Sequence, residues 1–190
     1  AGNSVCQLTS TGVTRATFRR FGIAHAALAA ALIVVGGVLL AEAGRLMRPL
    51  LKSDRVIEIT DTNLAEFHLA RLQRALDDAG IRNRIVVLSA CYSGGFEPEL
   101  ANEHTLLITA ARADRPSFGC GSESTITWFG RGWLLEGLSR HADPVQAFRH
   151  ADRRIRRWEA VHEQEGSHQQ LWLGKAIQAP LAAWQARLQA

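Results

Sequence analysis

The stretch Arg84-Ile-Val-Val-Leu-Ser-Ala-Cys-Tyr-Ser-Gly-Gly, residues 84–95, constrains this chain more than any other. Ile85 to Leu88 is a short run of branched aliphatic side chains, and it predicts a buried strand of the kind found in parallel sheets. The small residues Ser89 and Ala90 end it. Cys91 then stands immediately before Tyr92-Ser93-Gly94-Gly95, where the chain must turn. In an open α/β sheet the carboxyl end of a strand is the rim on which ligands bind. Glycine carries no Cβ, so backbone N–H groups at Tyr92, Ser93 and Gly94 can come close to a bound carbonyl. A cysteine nucleophile needs that geometry, an exposed sulfur with donors beside it for an oxyanion. The same residues also fit a plainer account, a buried cysteine closing a core strand, because free Cys is among the most buried residue types.

Residues 105–120 repeat the character of the first run, an apolar strand ending in a polar loop. The segments Ser89-Ala-Cys-Tyr-Ser-Gly-Gly-Phe96, Ile108-Thr-Ala-Ala-Arg-Ala-Asp-Arg-Pro-Ser-Phe-Gly-Cys120 and Trp128-Phe129-Gly130 together resemble the C13 peptidases. These are the legumain-like branch of the caspase-like cysteine peptidases, and the resemblance, to bacterial-type members, covers about residues 60–175. It implies a caspase-like α/β sandwich with a mainly parallel sheet flanked by helices. It also implies that Cys91 is the nucleophile and that the partner is a peptide or protein substrate. Members of the family hydrolyse peptide bonds, and a related branch passes the acyl group to an amine.

A thiol with an ordinary pKa near 8.5 is only a few per cent thiolate at pH 7, so a histidine normally activates it. In the family that residue lies upstream of the Cys, in a Thr-Ser-His-Gly type motif, which this chain lacks. Leu8-Thr9-Ser10-Thr11-Gly12 has the shape of the motif, but Thr11 stands where the imidazole should be. His68 falls in the helix before the nucleophile strand, and His104 at the opposite end of the second strand. His25, His141, His150, His162 and His168 read as surface or packing residues. The catalytic dyad is therefore incomplete, and a non-catalytic peptide-binding module or a truncated remnant is the alternative to a peptidase.

Plant and animal legumains surround an asparagine side chain with acids. At the matching places this chain has Ser89 and Arg131, so an acidic or neutral polar side chain suits any pocket better by charge complementarity. Asp114 and Ser117, from the loop after the second strand, are further pocket candidates beside an ordinary role in capping that loop.

Composition narrows the remaining possibilities. The chain has 190 residues, 47% hydrophobic and 21% charged, with a net charge of +4. This suits one globular domain and an appendage. Five arginines lie between Arg149 and Arg157, and read as the solvated face of a helix whose Val145, Phe148, Ile155 and Trp158 point inward. No nucleic-acid partner is expected, since no recognition motif accompanies them. Three cysteines, Cys6, Cys91 and Cys120, make no disulfide framework. Histidines and cysteines never cluster, so neither a metal site nor a cofactor is expected.

The N-terminal part divides into a polar segment, 1–20, and an apolar one, 21–43. Phe21 to Ala41 is a run of 21 residues without formal charge. It has three readings: a transmembrane anchor, a signal peptide ending near Ala41-Glu42-Ala43, or a core helix. The first two place the protein at a bacterial cell envelope, membrane-associated through 21–41 or exported. The peptidase-like domain is expected over 56–190. Residues 13–55 do not resemble the family, so a domain shortened on its N-terminal side is expected. Within it, Val56–Ile59 predicts a strand, and a helix capped by Asn63 runs to a stop at Gly80. Helices are predicted over Thr125–Leu138, Pro144–Val161 and Ala179–Gln189, with Trp184 inward.

Overall fold

Alternation of side chains along two central strands divides the core of this protein into two layers. The computed structural model describes residues 37–51, 54–60, 68–119 and 126–189. The sheet consists of β1 (Arg55–Thr60), β2 (Asn83–Leu88), β3 (Thr105–Thr109) and β4 (Gln170–Leu173), in that spatial order. Strands β1, β2 and β3 run parallel, with Glu58 beside Val86 and Val87 beside Ile108. β4 returns antiparallel, setting Gln170 beside Thr109. The helices are α1 (Gly37–Met47), α2 (Ala70–Asp78), α3 (Glu97–Leu100), α4, α5 (Pro144–Val161) and α6 (Gln178–Gln189). α4 has a π-wound stretch, Gly130–Gly137, that runs on into an α-helical end, Leu138–Arg140.

Successive residues of a strand face opposite sides. Ile85, Val87, Leu106 and Ile108 accordingly meet Phe129, Trp133 and Ile155 of the α4 and α5 layer. Val86, Leu88 and Leu107 meet Leu69 and Leu100 on the other side. A mainly parallel sheet between two helical layers is the architecture expected above, and β2 is buried along its whole length.

α5 begins where expected. Pro144 occupies its first turn, and the Asp143 side chain accepts a hydrogen bond from Val145 N at 2.8 Å. That bond satisfies one of the orphan donors of the first turn. Asp143→Ala should therefore cost about 1 kcal/mol of unfolding free energy, read as a lower urea midpoint with an unchanged slope. Val145, Phe148, Ile155 and Trp158 all pack on the core, and so does Trp184 of α6.

Two charges are buried with the sheet. The Arg84 guanidinium lies 3.8 Å from Glu58 Oε1, pairs with Asp77, and donates to Ile81 O at 3.3 Å. Among the described residues no donor lies within close hydrogen-bond distance of either Glu58 carboxylate oxygen. Burial pushes the Glu58 carboxyl up to about 7, against the pull of Arg84.

The polar segment 1–20, most of the apolar segment, Cys6, His25 and Thr9–Gly12 lie outside the described residues, as do Asn63 and Cys120. The end of the apolar run forms α1, whose Leu40 and Ala43 are buried. Gly44 lies so close to Ala75 O on α2 that any β-carbon there would overlap it. α1 thus rests on the α/β domain, upstream of the boundary expected at 56. Among the described residues no helix is long and apolar enough to cross a membrane.

Candidate active site

The site is assembled at the carboxyl rim of the sheet, where β2 and β3 end. Cys91 is three residues past the end of β2 and is half-buried. Its sulfur accepts a hydrogen bond from Ser117 N at 3.2 Å, and its thiol lies 3.4 Å from Ser117 O. Among the described residues these are the only polar partners of the thiol, so the loop after β3 holds the sulfur by its backbone.

The turn beyond Cys91 is locked to the same loop. Tyr92 adopts a left-handed conformation, φ 58°, which a bulky residue keeps only where its surroundings enforce it. Its N–H donates to Arg115 O at 2.8 Å, and Gly94 N donates to Ala111 O at 2.8 Å. Buried backbone donors must be paired, and here β3 and its loop supply the acceptors. Of the three expected oxyanion donors, the N–H groups of Tyr92 and Gly94 are therefore already engaged. The Ser93 side chain is buried too, its Oγ accepting from Ala111 N at 3.1 Å. A β-carbon at Gly94 would lie 2.7 Å from Ala113 N and 3.0 Å from Ala111 O. It would also overlap the amide oxygen of Gln170, which reaches the turn from β4.

The candidate pocket residues divide. Ser117 alone touches the thiol. Ser89 Oγ is buried 3.1 Å from Thr127 Oγ1, which in turn accepts from Gly130 N at 2.8 Å. Ser89 thus ties the end of β2 to the start of α4. Arg131 is engaged on the helix layer: its Nε meets Glu136 at 3.1 Å and its guanidinium stacks 5.3 Å above Trp158. Arg154 makes the same two contacts, at 3.0 Å and 5.1 Å. Burial pushes the Glu136 carboxyl up, but hydrogen bonds from Arg154 and Arg131 outweigh this and hold it below its ordinary range. Asp114 is exposed, and its hydrogen bond with Arg112 holds it down at about 2. The guanidinium expected to face a substrate is therefore paired with Glu136, which it shares with Arg154, and the Asp114 carboxylate is taken up within its own loop.

No described histidine reaches the sulfur. His104 sits at the start of β3, the far end from Cys91, 3.3 Å from Asn83 Oδ1. His141 packs against His150, with ring centres 5.8 Å apart, and His162 lies on Trp128 at 5.1 Å. His68 is in the π-wound helical start that runs into α2. His168 lies on the Cys91 rim, but its ring is exposed and folded toward Gly166.

Sequence reasoning missed the third wall of the site, the 162–169 loop between α5 and β4. Ser167 O accepts from Arg112 N at 2.9 Å, and Glu165 pairs with Arg115. Glu159, buried on α5, accepts from Ser167 N at 2.9 Å and from the Ser167 hydroxyl. One signal for it was present. Glu159 follows Ala147, Ala151 and Ile155 at helical spacing, so a carboxylate stands on the inward stripe.

Cavities among the described residues lie elsewhere. One of about 330 Å³ lies over Arg84, Asp77 and His104 at the amino ends of the strands. A second, of about 190 Å³, is lined by Glu97, Thr109, Gln170 and Trp172. Neither is lined by Cys91.

The family model of the peptidase C13 family matches residues 52–180. The chain is also 36% identical over 110 residues to a 3-dehydroquinate synthase of Rhodospirillum rubrum. It takes in 56% of this chain but 28% of that protein, so the chain spans less than a third of that relative's length.

Proposed function

This chain belongs to the peptidase C13 family, and from that premise we propose that it carries a cysteine-type peptidase site with Cys91 as the nucleophile. The observation that supports this most is the Ser117 N–H directed at the Cys91 sulfur from 3.2 Å. A donor in that place stabilises a thiolate more than a neutral thiol. Attack by the sulfur on a peptide carbonyl gives an acyl-enzyme and releases the amine, and water then releases the acid. The amine must be protonated as it leaves and the water deprotonated as it attacks, and a histidine usually does both.

A second reading has its own support. The thiol has no described partner except Ser117, which suits a protein that holds a peptide against the rim without cutting it. Labelling of the folded protein with a peptide-based electrophile, read by mass spectrometry, separates the two. A peptidase site takes the label at Cys91 in preference to Cys6 and Cys120, and Cys91→Ala abolishes it. Equal labelling of the three thiols in a cooperatively folded chain would replace the peptidase reading with the binding one.

A further inference from the structure

We propose that Glu159 is a positioning residue for Cys91, acting through the 162–169 loop on the segment that grips the sulfur. The inference rests on the reading of Cys91 as nucleophile and goes beyond it, because no part of Glu159 touches the thiol.

Glu159 is 3% exposed, on the last inward position of α5. A carboxylate excluded from water must be hydrogen-bonded there, and its partners come from one residue of the next loop. Ser167 N donates to Glu159 Oε1 at 2.9 Å, the Ser167 hydroxyl donates to the same oxygen, and Gln169 Nε2 donates to the hydroxyl. Just past the helix, Glu163 takes a left-handed conformation, φ 52°, and Gln164 N returns to Glu159 O at 2.8 Å. The loop therefore folds back against the end of its own helix.

From that anchor the connection continues to Cys91 in two short steps. Ser167 O accepts from Arg112 N at 2.9 Å, and Glu165 pairs with the Arg115 side chain, so the loop fastens both ends of the Arg112–Arg115 turn. Arg115 O accepts from Tyr92 N at 2.8 Å, and two residues further on Ser117 N reaches the sulfur. Pro116, between them, has a fixed φ. The donor on the thiol is thus set from α5, some distance from the chemistry. A nucleophile held by backbone alone depends on whatever holds that backbone.

The test compares Glu159→Ala, Glu159→Gln and Ser167→Ala in the full chain. Backbone hydrogen exchange and the rate of Cys91 alkylation by iodoacetamide at pH 6.5 are measured for each, with Cys6 as the internal reference. In Glu159→Ala the 112–117 amides should exchange at least about tenfold faster while Val86–Leu88 keep their protection. Cys91 should alkylate about tenfold more slowly relative to Cys6, the order expected for losing one hydrogen bond to a charged atom. Glu159→Gln keeps an acceptor for Ser167 and should restore most of both. Should Glu159→Ala fail to fold, Ser167→Ala, which deletes only the hydroxyl, should show the same pattern more weakly. Unchanged exchange at 112–117, or unchanged Cys91 alkylation with a loosened 163–169 loop, would overturn the proposal. If the unaltered protein alkylates Cys91 no faster than Cys6, the nucleophile reading fails, and the exchange result then decides alone whether Glu159 braces the loop.

Discussion

Gly94→Ala should lower the unfolding free energy by about 3 kcal/mol and remove any preferential labelling of Cys91. The added methyl would lie 2.7 Å from Ala113 N and 3.0 Å from Ala111 O, closer than carbon packs against backbone. Ala111 is not free to retreat. Ala111 O holds Gly94 N at 2.8 Å, and Ala111 N holds Ser93 Oγ at 3.1 Å. Relief must therefore come from opening the turn, which separates Cys91 from Ser117. Gly95 is the control, since a β-carbon there has no neighbour within 4 Å. Gly95→Ala should be neutral or stabilise by up to about 1 kcal/mol through the unfolded chain. Denaturant titrations of the pair check this, and equal midpoints would show that the turn is looser than described.

A second large effect concerns pH. The Glu58 carboxyl titrates near 7 in the folded protein, against an ordinary value of 4.5, because burial disfavours its charge. A carboxyl raised on folding binds its proton more tightly in the native state. Its contribution is complete below 4.5 and is lost as pH rises through about 7. The shift corresponds to about 3 kcal/mol. Stability measured at pH 4.5 and pH 8 should therefore fall by about 3 kcal/mol more in the unaltered protein than in Glu58→Gln, which cannot titrate. The other titrating groups are common to both proteins and drop out of the comparison. Parallel profiles would mean that Glu58 stays ionised beside Arg84 throughout.

What the sequence made legible depends on how local the physics is. β2, β3 and α5 were readable because a buried strand or an amphipathic helix writes its burial into consecutive residues. The Cys91 turn was readable because two glycines follow the thiol and tyrosine at the end of an apolar run. The roles of Tyr92 and Gly94 were harder, because whether an N–H is free depends on a carbonyl some twenty residues away. The contacts of Arg131 were hard to read for a related reason. Its position after Phe129-Gly130 is local, but it pairs with Glu136 on its own helix and stacks on Trp158 of the next one, while its side chain stays exposed. The Glu159–Ser167 pin has no motif at all, and only a carboxylate on an apolar stripe hinted at it. Arg84 stands just before the apolar run Ile85–Leu88, and nothing next to it in sequence signals that Glu58, β1's contribution, lies beside its guanidinium.

The antiparallel return of β4 has a consequence for the order in which the protein is made. Cys91 leaves the ribosome about eighty residues before Leu173 completes that strand. At roughly 5–20 residues per second the gap is on the order of 4 to 16 seconds. During that interval the Gly94 turn has no Gln170 above it, and the Arg112–Arg115 turn has no Ser167 to fasten it. The thiol is thus synthesised well before its frame, and a new chain passes through a period in which Cys91 is present but not yet placed.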